Sequence, residues 1–380
     1  MNTETITTDY AVKADAIYKK LMGSQGLLSK AMNDKLNVWR SSWAFDTLTD
    51  YCEIFDSADA SNLGNAMISQ GLNPKGGDWW DDFGWLGIAS LRAAQRPIYN
   101  LDQRISFFKS AINAWSYMYG NGWDKSSRPS PPNPNNFNVP FTDMTQWESF
   151  LSGKNNVDIG VLDVYNYAFS QDPNKEIFAP KYTPGGGWNT PLSSLTTPSQ
   201  TTGPQPCGNY HYLAPLQNTV TNGLFSILST RVYHAIQTGL WDELIGADVM
   251  PDSRIQIANN AYTAGINQLS WFHNWFTESE GKASMQYKLS TGSLIRERAP
   301  QFANGTWDAA YCSELAWTGD QGLLLAALRE AGDLISSANS TQLKPEQKSQ
   351  LQNVTEIYPE ILKAAEKYLI SELNYDGRNL

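Results

Sequence analysis

Apolar residues recur along this chain at intervals of three and four, the spacing that gathers one face of an α-helix. Residues 10–22 carry Ala11, Ala14, Ile17, Tyr18 and Leu21 in this way, and residues 42–55 carry Trp43, Phe45, Leu48, Tyr51 and Ile54. The same pattern predicts helices over 82–94, 105–119, 220–236, 255–276, 321–335 and 351–373. Gly, or Pro and Asn together, stands between them, as helix stop signals do. Strand-like alternation is scarce, and only 287–294 reads as a short hairpin arm. The predicted fold class is therefore all-α.

One region breaks the pattern. Between 120 and 215 the chain contains Ser-Arg-Pro-Ser-Pro-Pro-Asn-Pro-Asn-Asn-Phe-Asn, then Gly185-Gly-Gly-Trp188, then a Ser/Thr/Pro run ending at Pro206. One helix is expected inside it, at 158–169. A loop of this length in a compact domain is functional or disordered, and its Phe, Trp and Tyr content favours an ordered excursion. Helical pattern resumes on both sides without a shift in composition, so one domain over 1–380 with a loop-rich insertion at about 120–215 is expected. Long helices joined by short and long turns, with no short repeat, suit a ring of helical hairpins, an (α/α) toroid.

Composition removes several function classes. The 380 residues hold 28 Lys+Arg against 38 Asp+Glu, a formal charge of −10. A nucleic-acid-binding surface needs clustered cations to displace counterions, so no nucleic-acid partner is expected. No apolar stretch approaches the ~20 residues of a membrane-spanning helix. The three cysteines, Cys52, Cys207 and Cys312, are far apart and odd in number, which gives no disulfide framework. The three histidines, His211, His234 and His273, show no metal-ligand spacing, so no metal and no cofactor are expected. The first residues, Met1-Asn-Thr-Glu-Thr-Ile-Thr-Thr, have neither a basic n-region nor an apolar h-region. A cytoplasmic address and an exported chain relieved of its signal both stay open.

The candidate chemistry lies in Asp78-Trp79-Trp80-Asp81-Asp82-Phe83-Gly84-Trp85, three acids and three tryptophans within eight residues, running into a predicted helix. Two neighbouring carboxylates that reach one cleft can divide the labour of glycoside hydrolysis, one as nucleophile and the other as proton donor and acceptor. Retaining enzymes need the carboxyls about 5–5.5 Å apart, and consecutive Cα atoms about 3.8 Å apart allow that. At a helix start the ionised partner is favoured by the dipole, and its charge keeps the second acid protonated. Asp is also a common N-cap, so spacing alone leaves capping and catalysis both open. The flanking tryptophans weigh toward sugars, whose apolar C–H faces suit aromatic rings.

Trp79-Trp80-Asp81-Asp82-x-Gly84-Trp85 resembles the signature of glycoside hydrolase family 76, the endo-α-1,6-mannanases. Further landmarks fall in that family's order: Trp43 and Asp46 on an early helix, Gly185-Gly-Gly-Trp188, Thr219-Val-Thr-Asn222-Gly-Leu-Phe, and Thr318-Gly-Asp320-Gln321-Gly322. The resemblance spans roughly residues 40 to 335. It implies an (α/α)6 barrel and retaining hydrolysis of α-1,6-linked mannan backbones without a metal, by a monomer that is secreted, periplasmic or cell-surface. Carried over by position, it implies Asp81 as nucleophile and Asp82 as general acid/base, with Trp43, Asp46, Trp80, Trp188, Asn222, Asp320 and Gln321 binding substrate. For Asp320 helix capping, and for Asn222 a buried amide network, are equally open. Gly223 departs from the family's Glu, Asp320 from its frequent Asn, and Asn189 from its second Trp. These departures leave open a decorated mannan or another α-linked glycan, and a glycan-binding barrel without turnover. Another toroid enzyme, such as a sugar epimerase or an unsaturated-uronyl hydrolase, and a protein-interaction scaffold are the remaining alternatives. Scarce His weakens the epimerase, which needs bases titrating near neutrality.

Overall fold

The computed structural model describes residues 12–20, 38–55, 59–69, 80–123, 186–187, 218–277, 286–288, 293–295, 297, 302–303, 306–307 and 318–337, with single positions at 345, 352 and 359. These residues are predominantly helical, in keeping with an all-α class. Helix α1 covers 12–20. It is followed by α2 (Val38–Phe55), α3 (Ala60–Ser69), α4 (Trp80–Ala94) and α5 (Leu101–Tyr117), which widens into a π-helical turn over Met118–Gly122. Then come α6 (Thr219–Gln237), α7 (Leu240–Leu244), α8 (Pro251–Thr277) and α9 (Thr318–Ser337). Two antiparallel hairpins separate α8 from α9: β1 (Gln286–Lys288) with β2 (Ser293–Ile295), and β3 (Phe302–Ala303) with β4 (Thr306–Trp307). The first is the hairpin expected near 287–294. The helices expected at 158–169 and 351–373, and the insertion at 120–215, lie outside the described residues except for 120–123, 186–187, 352 and 359.

Residue pairs across the helix interfaces reveal a regular arrangement. Between α2 and α4 the partners rise together: Trp39 with Asp82, Trp43 with Trp85, Asp46 with Arg92, Glu53 with Arg96. The two helices are therefore parallel. Between α4 and α6, Gly84 lies against Leu224 and Gly87 against Leu228, again parallel. Between α6 and α9, Gly223 lies against Leu323 and Arg231 pairs with Glu330, parallel once more. Helix α5 runs the other way beside α4, with Ser110 facing Ser90 and Ala114 facing Gly87. Helix α8 also runs against α6, with Tyr262 beside Tyr233 and Gly265 beside Thr230. The result is a row of four parallel neighbours, α2, α4, α6 and α9, backed by antiparallel α5 and α8. The starts of all four row helices lie at one end.

Small residues set these distances. A Cβ on Gly84 would come within 2.6 Å of Leu224 Cβ, and one on Gly87 within 2.5 Å of Leu228 Cδ2. Hence α4 and α6 approach more closely than alanines would allow. Around this contact the core is aromatic: Phe83 stacks on Tyr117 at 4.2 Å, Phe45 packs on Phe107 at 5.2 Å, and Trp115 Nε1 donates to Ser229 Oγ at 3.0 Å. A second cluster, including Tyr262, Trp271, Leu324 and Leu328, fills the space between α8 and α9. Among the described residues no helix is long and apolar enough to cross a membrane.

Several helices begin earlier than the apolar pattern predicts, because tertiary or capping contacts secure their first turns. Helix α2 starts at Val38 rather than 42, α4 at Trp80 rather than 82, and α5 at Leu101 rather than 105. In α5 a capping box does this: Asn100 Oδ1 accepts from Gln103 N at 2.9 Å, and Gln103 Oε1 accepts from Asn100 N at 3.2 Å. Helices α3 and α7 are not predicted at all. Helix α3 buries only Ala60, Leu63, Gly64 and Met67, too thin a stripe to read. Helix α7 is a short turn that follows Gly239, whose φ of +87° needs glycine's freedom.

An ion-pair ladder fixes α2 against α4. Arg92 reaches Asp46 and, at 2.7 Å, Asp50, while Arg96 reaches Glu53 at 2.7 Å. Burial pushes the Asp46 carboxyl above the ordinary carboxylate range, and the Arg92 guanidinium offsets part of that. Arg92→Met leaves Asp46 and Asp50 facing each other without that cation. The expected loss of stability at neutral pH is about 2 kcal/mol, below the value for a fully buried pair because these side chains keep some solvent. Asp46 then binds its proton at still higher pH in the folded state. Folding is favoured by that proton, so the loss shrinks as pH falls toward about 4. Urea denaturation at the two pH values measures it, and an equal loss at both would contradict this reading.

Candidate active site

The acid pair stands inside α4 rather than ahead of it. Trp80, Asp81 and Asp82 form the first turn, where the helix dipole favours negative charge. Consecutive side chains of a helix diverge by about 100°, and the two acids differ accordingly: Asp81 is half-buried, while Asp82 keeps 6% of its surface exposed. One hydrogen bond ties Asp81 to its neighbour and a second holds Asp82 from α2. Asp82 N donates to Asp81 Oδ1 at 3.1 Å, which draws the Asp81 carboxylate toward its neighbour. Trp39 N, in the first turn of α2, donates to Asp82 Oδ1 at 3.1 Å.

Beside the acids lies an aromatic ledge. Trp43, 50% exposed, meets Trp39 edge-on at 5.3 Å and Trp85 edge-on at 5.2 Å. Trp85 is one helical turn beyond Asp81, so the ledge adjoins the acid pair. Arg40 lies over the Trp39 ring at 4.9 Å. Trp80, expected to bind substrate, has no exposed surface, and a Cβ on Gly122 would come within 3.0 Å of its ring. An indole so enclosed offers no face to a sugar, and the expectation for Trp80 is corrected to a core residue. Trp79 and Trp188 lie outside the described residues.

The two amides expected at the site hold backbone. Asn222, in the first turn of α6, accepts from Gly187 N at 2.5 Å through Oδ1 and donates through Nδ2 to Gly187 O at 3.0 Å and Asn218 O at 2.8 Å. Both amide donors are thus committed, and Asn222 clamps the glycine-rich segment instead of offering its N–H groups to a ligand. Gln321, in the first turn of α9, repeats the device on β2: Ile295 N donates to its Oε1 and its Nε2 donates to Ile295 O, both at 2.9 Å. Asp320 is buried beside it at the helix start. Asp46 belongs to the ladder between α2 and α4, ion-paired to Arg92.

These contacts link all four helix starts. Trp39 joins α2 to α4, Gly122 covers Trp80, Trp123 bridges to Gly187, and Gly187 is held by Asn222 of α6. Thr219 N then donates to Glu297 O at 2.7 Å, and Ile295 is held by Gln321 of α9. Asp81, Asp82, Trp43, Asn222, Asp320 and Gln321 therefore gather at one end of the row. His234, by contrast, lies about 18 Å along α6 from Asn222 at the rise of a helix. There burial pushes its imidazole below its ordinary value, against Glu330 and Asp333. Sequence reasoning missed Trp39, although its spacing of four from Trp43 extends the apolar stripe of α2 backwards. No family model, no curated protein and no solved structure matches the chain.

Proposed function

We propose that this chain is a retaining glycoside hydrolase of the family 76 type that cleaves α-1,6-mannosidic bonds in mannan backbones. The observation that carries the reading is the pair Asp81 and Asp82 in the first turn of α4, with the Asp81 carboxylate accepting from the Asp82 backbone N–H and the exposed Trp43 nearby on α2. In this mechanism Asp81 attacks the anomeric carbon while Asp82 protonates the departing oxygen. Asp82 then takes a proton from the water that releases the glycosyl-enzyme. Trp43 offers a face to a mannose one unit away from the cleaved bond. The row of parallel helices with antiparallel partners behind it supports an (α/α)6 barrel, whose inner ring would include α2, α4, α6 and α9. The enzyme would act without a metal, as a monomer outside the cytoplasm.

The test is a product profile on unbranched α-1,6-mannan and on branched yeast mannan, with proton NMR of the first anomer released. The expected result is oligosaccharides from the unbranched polymer with the α-anomer appearing first. A β-anomer appearing first would remove the retaining mechanism. In the same assay Trp43→Ala is expected to raise KM about 5- to 10-fold with kcat within about twofold.

Two observations favour neighbouring readings. A Cβ on Gly223 would come within 3.1 Å of Leu323 Cβ, so the glutamate usual in the family would require Leu323 to shift, and the chain carries glycine there instead. That favours a decorated mannan or another α-linked glycan as substrate, and higher activity on the branched polymer would show it. The Trp39 N–H on Asp82 is also what a structural cap makes. Binding of mannan oligosaccharides by calorimetry, without products, would assign a glycan-binding barrel instead.

A further inference from the structure

The N–H of Trp39 is in the first turn of α2, where backbone donors have no acceptor within their own helix. Its acceptor is a carboxyl oxygen from another helix, Asp82 Oδ1 at 3.1 Å and 43 positions along the chain. The parallel register of α2 and α4 fixes this meeting, through Trp43 on Trp85 and then Asp46 and Glu53 on Arg92 and Arg96. We propose that this N–H is the positioning group of the catalytic acid: it holds Asp82 Oδ1 as an acceptor and thereby keeps the acid proton on Oδ2.

A neutral carboxyl carries its proton on one oxygen and accepts on the other. A proton on Oδ1 would face the Trp39 N–H donor against donor, so the protonated form has its O–H at Oδ2. In the glycosylation step the Oδ2 proton passes to the glycosidic oxygen as the C1–O bond breaks and its electron pair goes to that oxygen. An Asp81 oxygen forms the new bond to C1. In the second step a water proton returns to Oδ2 as the hydroxyl displaces Asp81. The inference rests on the reading of Asp82 as the general acid/base.

Among the described residues, three charged side chains besides Asp82 belong to the helix starts that gather at this end of the row. Asp81 shares its helix, Arg40 follows Trp39 on α2 with its guanidinium over the Trp39 ring, and Asp320 opens α9. The parts of α5 and α6 beside the start of α4, residues 110–122 and 218–230, contain no Asp, Glu, Lys, Arg or His. The Trp39 N–H stabilises the ionised form of Asp82, so its removal raises the pH at which the acid loses its proton.

Two variants separate the N–H from the indole. Trp39→Pro deletes the donor at a first-turn position that tolerates proline, and Trp39→Ala deletes the ring but keeps the donor. With an α-1,6-mannan oligosaccharide, Trp39→Ala should leave both limbs of the kcat/KM pH profile in place. Relative to it, Trp39→Pro should move the alkaline limb up by about one pH unit and lower kcat about 10- to 100-fold with KM within about twofold. Coincident profiles for the two variants would overturn the proposal. A second measurement covers a proline variant that fails to fold: the Trp39 amide in the wild-type protein labelled with 15N-tryptophan, assigned by its absence in Trp39→Phe. Its proton shift should titrate with the midpoint of the alkaline limb and stop titrating in Asp82→Asn; a shift that stays constant with pH overturns the proposal. If the wild type cleaves no mannan, the functional reading fails by itself, and the amide titration still decides whether the N–H follows the protonation of Asp82.

Discussion

Asp81→Asn and Asp82→Asn are each expected to lower hydrolysis of unbranched α-1,6-mannan by at least about 10³-fold. The two losses should differ in kind. Asn at 81 keeps an oxygen that can accept from Asp82 N but has no negative charge for attack on the anomeric carbon, so no substrate reaches the covalent stage. Asn at 82 keeps an acceptor for the Trp39 N–H but has no proton to give. A substrate whose leaving group needs no protonation, such as an aryl mannoside with a nitro-substituted phenol, should therefore still glycosylate the Asp82 variant and not the Asp81 variant. The Asp82 variant then accumulates the glycosyl-enzyme, and added azide should release it as the α-glycosyl azide. Each substitution keeps the shape of the side chain, so melting temperatures near that of the wild type are expected, and intact mass detects the trapped intermediate. If both variants kept near-full activity, the assignment of the pair as catalytic would fall.

The helices that the apolar pattern predicts well are those whose buried stripe is wide. Helices α6, α8 and α9 each bury several apolar residues at helical spacing, and their C-terminal ends lie within two residues of the predicted limits, although α8 starts four residues and α9 three residues ahead of them. The starts of α2 and α4 also fall ahead of the predicted limits, because a contact between Trp39 and Asp82 across 43 positions joins them, and no local pattern encodes that partner. The same limit governs the site. The acid pair stands out in sequence because two carboxylates among tryptophans are conspicuous wherever they fall. Trp80 and Trp43 look alike in sequence, and only packing separates the indole sealed under Gly122 from the one half open to solvent. Asn222 and Gln321 were legible as site residues but not in what they do. An amide that bonds one residue's N–H and C=O reads no side chain, so the residue it holds leaves no trace in the sequence.

Asn222→Ala is expected to destabilise the protein by about 3 kcal/mol, since it leaves the Gly187 N–H, the Gly187 carbonyl and the Asn218 carbonyl without their partner in a buried place. All three groups are main-chain: the Asn218 carbonyl keeps only the longer bond from the Asn222 backbone N–H at 3.3 Å, and the two Gly187 groups lose the side chain that holds them. Activity should fall further than stability explains, because Gly187 is the link through which Trp123 and the start of α4 are tied to the start of α6. The variant Asn222→Asp separates packing from hydrogen bonding. It fills the same volume and keeps an acceptor for Gly187 N, yet when ionised it sets a negative charge against two carbonyl oxygens. Burial and those oxygens raise its folded-state pKa above the ordinary carboxylate value, so the folded state binds the proton more tightly than the unfolded chain does. Stability of this variant is therefore greatest at low pH and is lost as pH rises through that raised value. Urea midpoints at about pH 4 and pH 7 should differ more for Asn222→Asp than for the wild type or for Asn222→Ala, which has no group to titrate there. An aspartate variant as stable as the wild type at neutral pH would mean that the two donated hydrogen bonds contribute nothing, and the clamp on Gly187 would lose its role in holding α6 to α4.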